Sequence, residues 1–186
     1  MADIALMWDS KLLFEKFFIE HGFDHQLIHP ANMGSPFLPT FKMILIPTGF
    51  ANPKYSDILP SLMKNKRRIE NFITKGGTLL VFGALTDSHF YDWLPVDLEY
   101  SLIYGPAELH EKCQSNASLL ANNPLQECDG FFCTIGGECI LVNEKEEAVL
   151  VTHQLGDGMI VATTIHEFPN PEFIRWALDN SISTAI

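Results

Sequence analysis

GGTLLVFGA, residues 76–84, is the stretch on which the fold turns. Gly76 and Gly77 stop a helix, because glycine adopts the left-handed conformation that follows a last turn. Thr78 to Phe82 then run apolar without alternation, and the small residues Gly83 and Ala84 close the segment. A strand apolar on both faces must be covered on both faces, which is the habit of parallel sheets. Upstream, residues 55–75 carry Ile58, Leu62, Ile69, Phe72 and Ile73 on one side and Lys64, Arg67, Arg68 and Lys75 on the other, predicting one amphipathic helix. Residues 41–46, apolar apart from Lys42, form a further buried strand closed by Pro47-Thr48-Gly49. Residues 3–7 give a first strand. Ser10 caps a helix bearing Leu12, Leu13, Phe14, Phe17 and Phe18, and Gly22 ends it before a short strand at 26–28.

From Leu94 onward the period changes to two. Residues 96–100 alternate, residues 131–132 and 140–142 flank Gly136-Gly137 as a hairpin, and 148–151 and 159–165 join through Gly156-Asp157-Gly158. Asn170-Pro171 opens a last helix with Phe173, Ile174, Ala177 and Leu178. Residues 108–129 read as loop. The expectation is a single α/β domain over residues 1–186: a three-layer, doubly wound, mostly parallel sheet of the flavodoxin-like kind, with a β-rich elaboration at about 95–155.

The chain has 186 residues, 47% of them hydrophobic, enough to bury a core without staples. Twelve basic residues against 23 acidic ones give a net charge of −11, so neither nucleic acid nor an anionic membrane is an expected partner. Asp3 and Asp9 stand where a signal peptide would be basic, and no apolar run reaches the roughly 20 residues of a membrane span. A cytoplasmic protein with reduced thiols is expected. Cys113, Cys128, Cys133 and Cys139 lack the paired C-x2-C spacing of a structural zinc site, so no metal or other cofactor is expected.

Ligands of open α/β sheets bind beyond the carboxyl ends of the strands. Those ends carry Asp9, then Gly49 and Phe50, then Gly83, Ala84 and Asp87, then His166 and Glu167. IPTGF at 46–50, GGTLLVFGA at 76–84 and GDGMIVATTIHE at 156–167 together resemble the class I glutamine amidotransferase-like superfamily. In pattern they are most similar to its cysteine-less members, such as ThuA-like proteins and the trimerisation domain of β-galactosidases. The resemblance implies an elbow, G-x-C-x-G, whose cysteine is the nucleophile, and a later His-Pro-Glu. Here Gly83 stands at the nucleophile position, and His166 is followed directly by Glu167. A base without a nucleophile cannot run thioester chemistry, so glutaminase activity is not expected.

Each candidate has a plainer reading beside the functional one. Asp9 either meets a ligand or marks a helix entry, and Gly49 and Gly83 either admit a ligand or make turns. His166 and Glu167 are either a base with its carboxylate or a histidine satisfied by backbone. Asp87-Ser88-His89 suits loop hydrogen bonding. The basic helix stripe is a solvated face or a docking surface for an acidic partner or second copy of the chain. Three functions are open: a non-catalytic domain binding a small molecule or partner, a hydrolase of a small amide, ester or sugar-derived substrate with His166 as base, or a homo-oligomerisation domain.

Overall fold

The computed structural model describes residues 2–186. Its elements in chain order are β1 (Ile4–Met7), α1 (Leu13–His21), β2 (His25–Ile28), β3 (Met43–Ile46), α2 (Leu59–Lys64), α3 (Lys66–Thr74), β4 (Thr78–Val81), β5 (Ser88–Phe90), β6 (Leu98–Glu108) and β7 (His110–Glu111). β8 (Leu125–Ile135), β9 (Glu138–Val142), β10 (Ala148–Leu155), β11 (Gly158–Thr163) and α4 (Pro171–Asp179) complete the chain. The strands form one sheet in the order β2-β1-β3-β4-β11-β10-β8-β6-β5, with β9 pairing β10 and β7. β2, β1, β3, β4 and β11 are mutually parallel. From β11 to β5 every pairing is antiparallel.

The expected flavodoxin-like three-layer sandwich is therefore not the architecture. The sheet is a strongly curled, mixed half-barrel with 35% strand and 22% helix, and the four α-helices among the described residues are too few to sandwich eleven strands. The reason lies in the connections. A parallel sheet grows by helical crossovers, whereas residues 98–163 supply paired antiparallel strands with no helix of that kind between them. β6 and β8 are eleven residues each, and their pairing slips between Glu99 and Tyr100 and between Leu102 and Gly105. Such bulges bend a strand and increase its twist, which curls the sheet. Aromatic side chains extend the core that α2 and α3 cover. Phe50, Tyr91, Trp93, Tyr100 and Phe132 are all buried in one cluster with the strand residues Ala148 and Val151.

The parallel strands are wholly buried, as their unbroken apolar runs require. One face packs Met7, Ile44, Ile46, Leu79 and Val81 against Ile58, Leu62, Ile69, Phe72 and Ile73. The other packs Leu6, Leu45, Leu80 and Phe82 against Phe17 and Phe18 of α1 and Phe173, Ile174 and Leu178 of α4. The amphipathic segment expected over 55–75 is two helices that meet at Asn65. Asn65 Nδ2 donates to Pro30 O (3.1 Å) and Ser61 O (2.9 Å), tying the break to the loop after β2. Residues 108–129, expected as loop, contain β7 and the first residues of β8.

Gly130 lies in β8 opposite Leu102 of β6. A methyl group there would overlap the Ser101 carbonyl oxygen and the Tyr100 ring. Gly130→Ala is expected to lower the free energy of unfolding by about 1–3 kcal/mol, the usual cost of overpacking. Urea denaturation followed by circular dichroism measures it.

Candidate functional site

Past β11 the chain returns along β8. Thr163 Oγ1 donates to Val149 O and accepts from the Ile165 amide, each at 3.1 Å, and so fixes the exit from the strand. The Asp129 amide then donates to Thr164 O, and the His166 amide to Glu127 O, both at 2.8 Å. Cys128 and Ile165 face each other between these two rungs. The pairing sets His166 Nδ1 3.6 Å from Asp129 Oδ2, an ion-pair separation just beyond hydrogen-bond reach.

Asp129 is fully buried, and among the described residues neither carboxylate oxygen has a hydrogen-bond partner. The Tyr100 hydroxyl donates to its backbone oxygen at 2.8 Å. Burial pushes the Asp129 carboxyl upward in pKa, against the opposing effects of His166 and the Tyr100 and Thr48 hydroxyls. The adjacent Asp129 carboxylate raises His166 above its ordinary value of 6.5; burial opposes the rise and the charge of Glu127 adds to it. The buried carboxylate also occupies the elbow. A methyl group at Gly83 would overlap both Asp129 oxygens, so no side chain, a thiol included, fits there while Asp129 holds its place. The turn itself is made two residues later by Leu85, whose φ of 54° is left-handed and whose carbonyl accepts from Asn52 Nδ2 at 2.6 Å.

In front of this pair opens a cavity of about 610 Å3 lined by Leu12, Leu13, Phe14, Pro47, Thr48, Phe82, Asn122, His166, Glu167 and Phe168. Six of the ten are apolar. Phe168 stacks on Phe17 at 5.1 Å and meets Phe14 edge-on at 4.8 Å, which seats the rim of the cavity on α1. His166 Nδ1 faces Asp129, so Nε2 is the ring's remaining polar atom, and Tyr104 packs edge-on against the ring at 5.4 Å.

The residues expected at the strand ends divide. His166 and Glu167 line the cavity. Glu167 is committed, however, accepting from Gln126 Nε2 (3.0 Å) and the Glu127 amide (3.2 Å). Asp9 lies outside the cavity lining and accepts from Ser56 Oγ (3.1 Å) and the Asp57 amide (2.9 Å), anchoring the lead-in to α2. Slight burial pushes its pKa up, but those hydrogen bonds outweigh it and hold the carboxyl below its usual range. Gly49 has a φ of 88°, and a Cβ there would come within 3.3 Å of Tyr55 Cβ. Phe50 is buried against His89, Tyr91 and Trp93. Ala84 is buried, and Asp87 is exposed with its carbonyl bonded to the Leu102 amide.

Asp129 and Asn122 do not stand out in the sequence. Asp129-Gly130 reads as a turn dipeptide. The usable signal is an acidic residue among Gln126, Cys128, Phe131 and Phe132, in a segment that is otherwise strand-like. Of the four thiols, Cys128 is buried, and burial together with the Asp129 charge pushes it up to about 12. Cys113, Cys133 and Cys139 are also raised: a hydrogen bond to Glu138 is the main cause at Cys113, burial at the other two. Raised thiols hold little thiolate at neutral pH. Among the described residues, no three His, Cys, Asp or Glu side chains converge as a metal site. No described helix is long and apolar enough to cross a membrane.

Solved structures share this fold. A cytoplasmic protein of Salmonella typhimurium matches 98% of this chain over 100% of its own length, at a TM-score of 0.58 and 9% identity. A ThuA-like protein from Parabacteroides merdae matches 98% over 91% of its length, at 0.55 and 10%. The β-galactosidase of Bacillus circulans sp. alkalophilus matches 96% of this chain at 0.53 and 13%, and this chain spans 30% of that enzyme's length. At such identities the likeness is one of fold alone. No protein-family profile and no curated protein matches the sequence.

Both pKa displacements at the pair favour the protonated folded protein. Their contribution is full below the ordinary values, 3.8 for Asp129 and 6.5 for His166, and is lost as pH rises through the higher folded values. Wild-type stability is expected to fall as pH rises above 3.8 and again above 6.5, and Asp129→Asn to flatten that fall, as read by urea midpoints at each pH. Gly83→Ala is expected to cost about 1–3 kcal/mol in wild type. The same change should cost less in an Asp129→Ala background, and a double-mutant cycle would show the coupling.

Proposed function

We propose that this chain is a non-catalytic, amidotransferase-like domain that binds a small molecule at the carboxyl ends of its parallel strands. The observation that carries the reading is the occupation of the elbow: the Asp129 carboxylate fills the space a nucleophile at Gly83 would need, beside a cavity that stays open. The cavity's volume falls within the roughly 300–1,000 Å3 of small-molecule sites, and its lining, mostly apolar with a few convergent polar groups, has the usual composition of one. His166 is the recognition residue, Thr48 and Asn122 offer further polar contact, and Phe82, Phe14 and Phe168 supply the apolar walls. A hydrolase using His166 as base ranks below this, because the adjacent Asp129 carboxylate raises His166 above its ordinary value and so favours the protonated form, which cannot accept a proton.

Self-association is the second reading. It is supported by the match to 30% of a much longer β-galactosidase and by exposed apolar side chains such as Leu13, Ile19 and Phe37. Here the fold would serve as an assembly module and the cavity would be incidental.

A fragment screen by thermal shift separates the two. A ligand at 100 times its Kd stabilises the native state by about 2.7 kcal/mol. For a domain of this size that raises Tm by about 5–10 °C. Leu13→Arg, placed at the exposed mouth, is expected to abolish the shift without lowering the unliganded Tm. Absence of any shift, together with a concentration-dependent oligomer by light scattering, would turn the assignment to the assembly reading.

A further inference from the structure

We infer that the molecule seated in this cavity is an uncharged carbonyl compound with an apolar body, its oxygen accepting a hydrogen bond from His166 Nε2. This rests on the binding reading above and narrows it to a ligand class.

The argument starts from what the lining can offer. Among the described residues, His166 is the only cavity-lining side chain able to carry positive charge; no lysine or arginine is in the lining. Its Nδ1 is turned to the buried Asp129 carboxylate, which leaves Nε2 for the ligand. Paired with this buried carboxylate, the imidazole in its protonated form donates from both nitrogens. The direction of the His166 pKa agrees. The ligand must then bring an acceptor to Nε2.

The surroundings exclude the commonest strong acceptor, a carboxylate. Three carboxylates lie about this one imidazole: Asp129 beneath it, Glu127 on β8 beside it, and Glu167 in the lining itself. Glu167 is held in place by its bonds to Gln126 and the Glu127 amide. An anion would meet more repulsion than attraction, in a chain whose net charge is already −11. A ketone, ester or amide oxygen takes the same hydrogen bond without that repulsion. The remaining walls, Leu12, Phe14, Phe82 and Phe168, cover an apolar body.

The test uses acetophenone, benzamide, sodium benzoate and ethylbenzene as one matched series, and 2-octanone, octanoate and octane as a second. Binding is followed by calorimetry and thermal shift at pH 6, on wild type, His166→Ala, Asp129→Asn and Glu127→Gln, each first checked for native circular dichroism. The ketones and the amide are expected to bind at least tenfold tighter than the matching acid and hydrocarbon. His166→Ala should reduce acetophenone to the affinity of ethylbenzene, Asp129→Asn should weaken it, and Glu127→Gln should narrow the gap between benzoate and acetophenone. Tighter binding of the acids than of the ketones would overturn the inference while leaving the binding reading standing. So would a ketone-to-hydrocarbon ratio unchanged in His166→Ala. No shift with any member of either series would also overturn the inference, whereas the binding reading falls only with a blank fragment screen and a concentration-dependent oligomer.

Discussion

Two backbone hydrogen bonds, from the Asp129 amide to Thr164 O and from the His166 amide to Glu127 O, join the parallel and antiparallel halves of this molecule at their common end. β11 is the last parallel strand and also the first antiparallel partner, through β10. The chain beyond β11 cannot leave directly into a helix, because residues 164–166 are first zipped to β8. That zipper decides which side chains meet. It presses Asp129 onto the bare backbone of Gly83, and it lays His166 over Asp129 with its far nitrogen free. The cavity, the raised carboxyl and the filled elbow all descend from it.

The aromatic cluster has the complementary role on the other face. A half-barrel closes on itself only if something bulky fills the curl, and Phe50, Tyr91, Trp93, Tyr100 and Phe132 fill it with rings at mutual distances of 5.4–6.5 Å. Aromatic contacts at such spacings stabilise beyond their buried area. The Tyr91 hydroxyl donates to Phe82 O at 3.1 Å, and the Tyr100 hydroxyl bonds the Asp129 backbone, so two of these rings also brace the strand ends from behind. The site is held on packed rings and paired strands, not on loops alone.

How much of this the residues announce depends on whether a property is local. The buried strands at 43–46 and 78–81 are plain in their apolar runs, and the stops at Gly22 and Gly76 are plain in their chemistry. The break at Asn65 is not, because it depends on a carbonyl 35 residues away. Nor is the curl, which comes from register slips between β6 and β8 that no period in either strand encodes. His166 and Glu167 stand out because they end an apolar strand, yet their roles differ through contacts with Gln126, Glu127 and Asp129 across the sheet. Asp129 itself is hidden behind a dipeptide that ordinarily turns a chain. Here Gly130 instead permits close approach of the β6 backbone and the Tyr100 ring.

Gly83 and Asp129 are 46 positions apart in the chain and share one volume. Neither can be varied freely while the other stands: a residue with any side chain at 83 evicts the carboxylate, and losing the carboxylate leaves the imidazole without its counter-charge. A side chain at position 83 therefore cannot be gained by a single neutral step. Such a gain needs a paired replacement or a lineage stable enough to survive the intermediate. The two positions should covary as a unit among descendants, so that the molecule's history is locked into one of two mutually exclusive states.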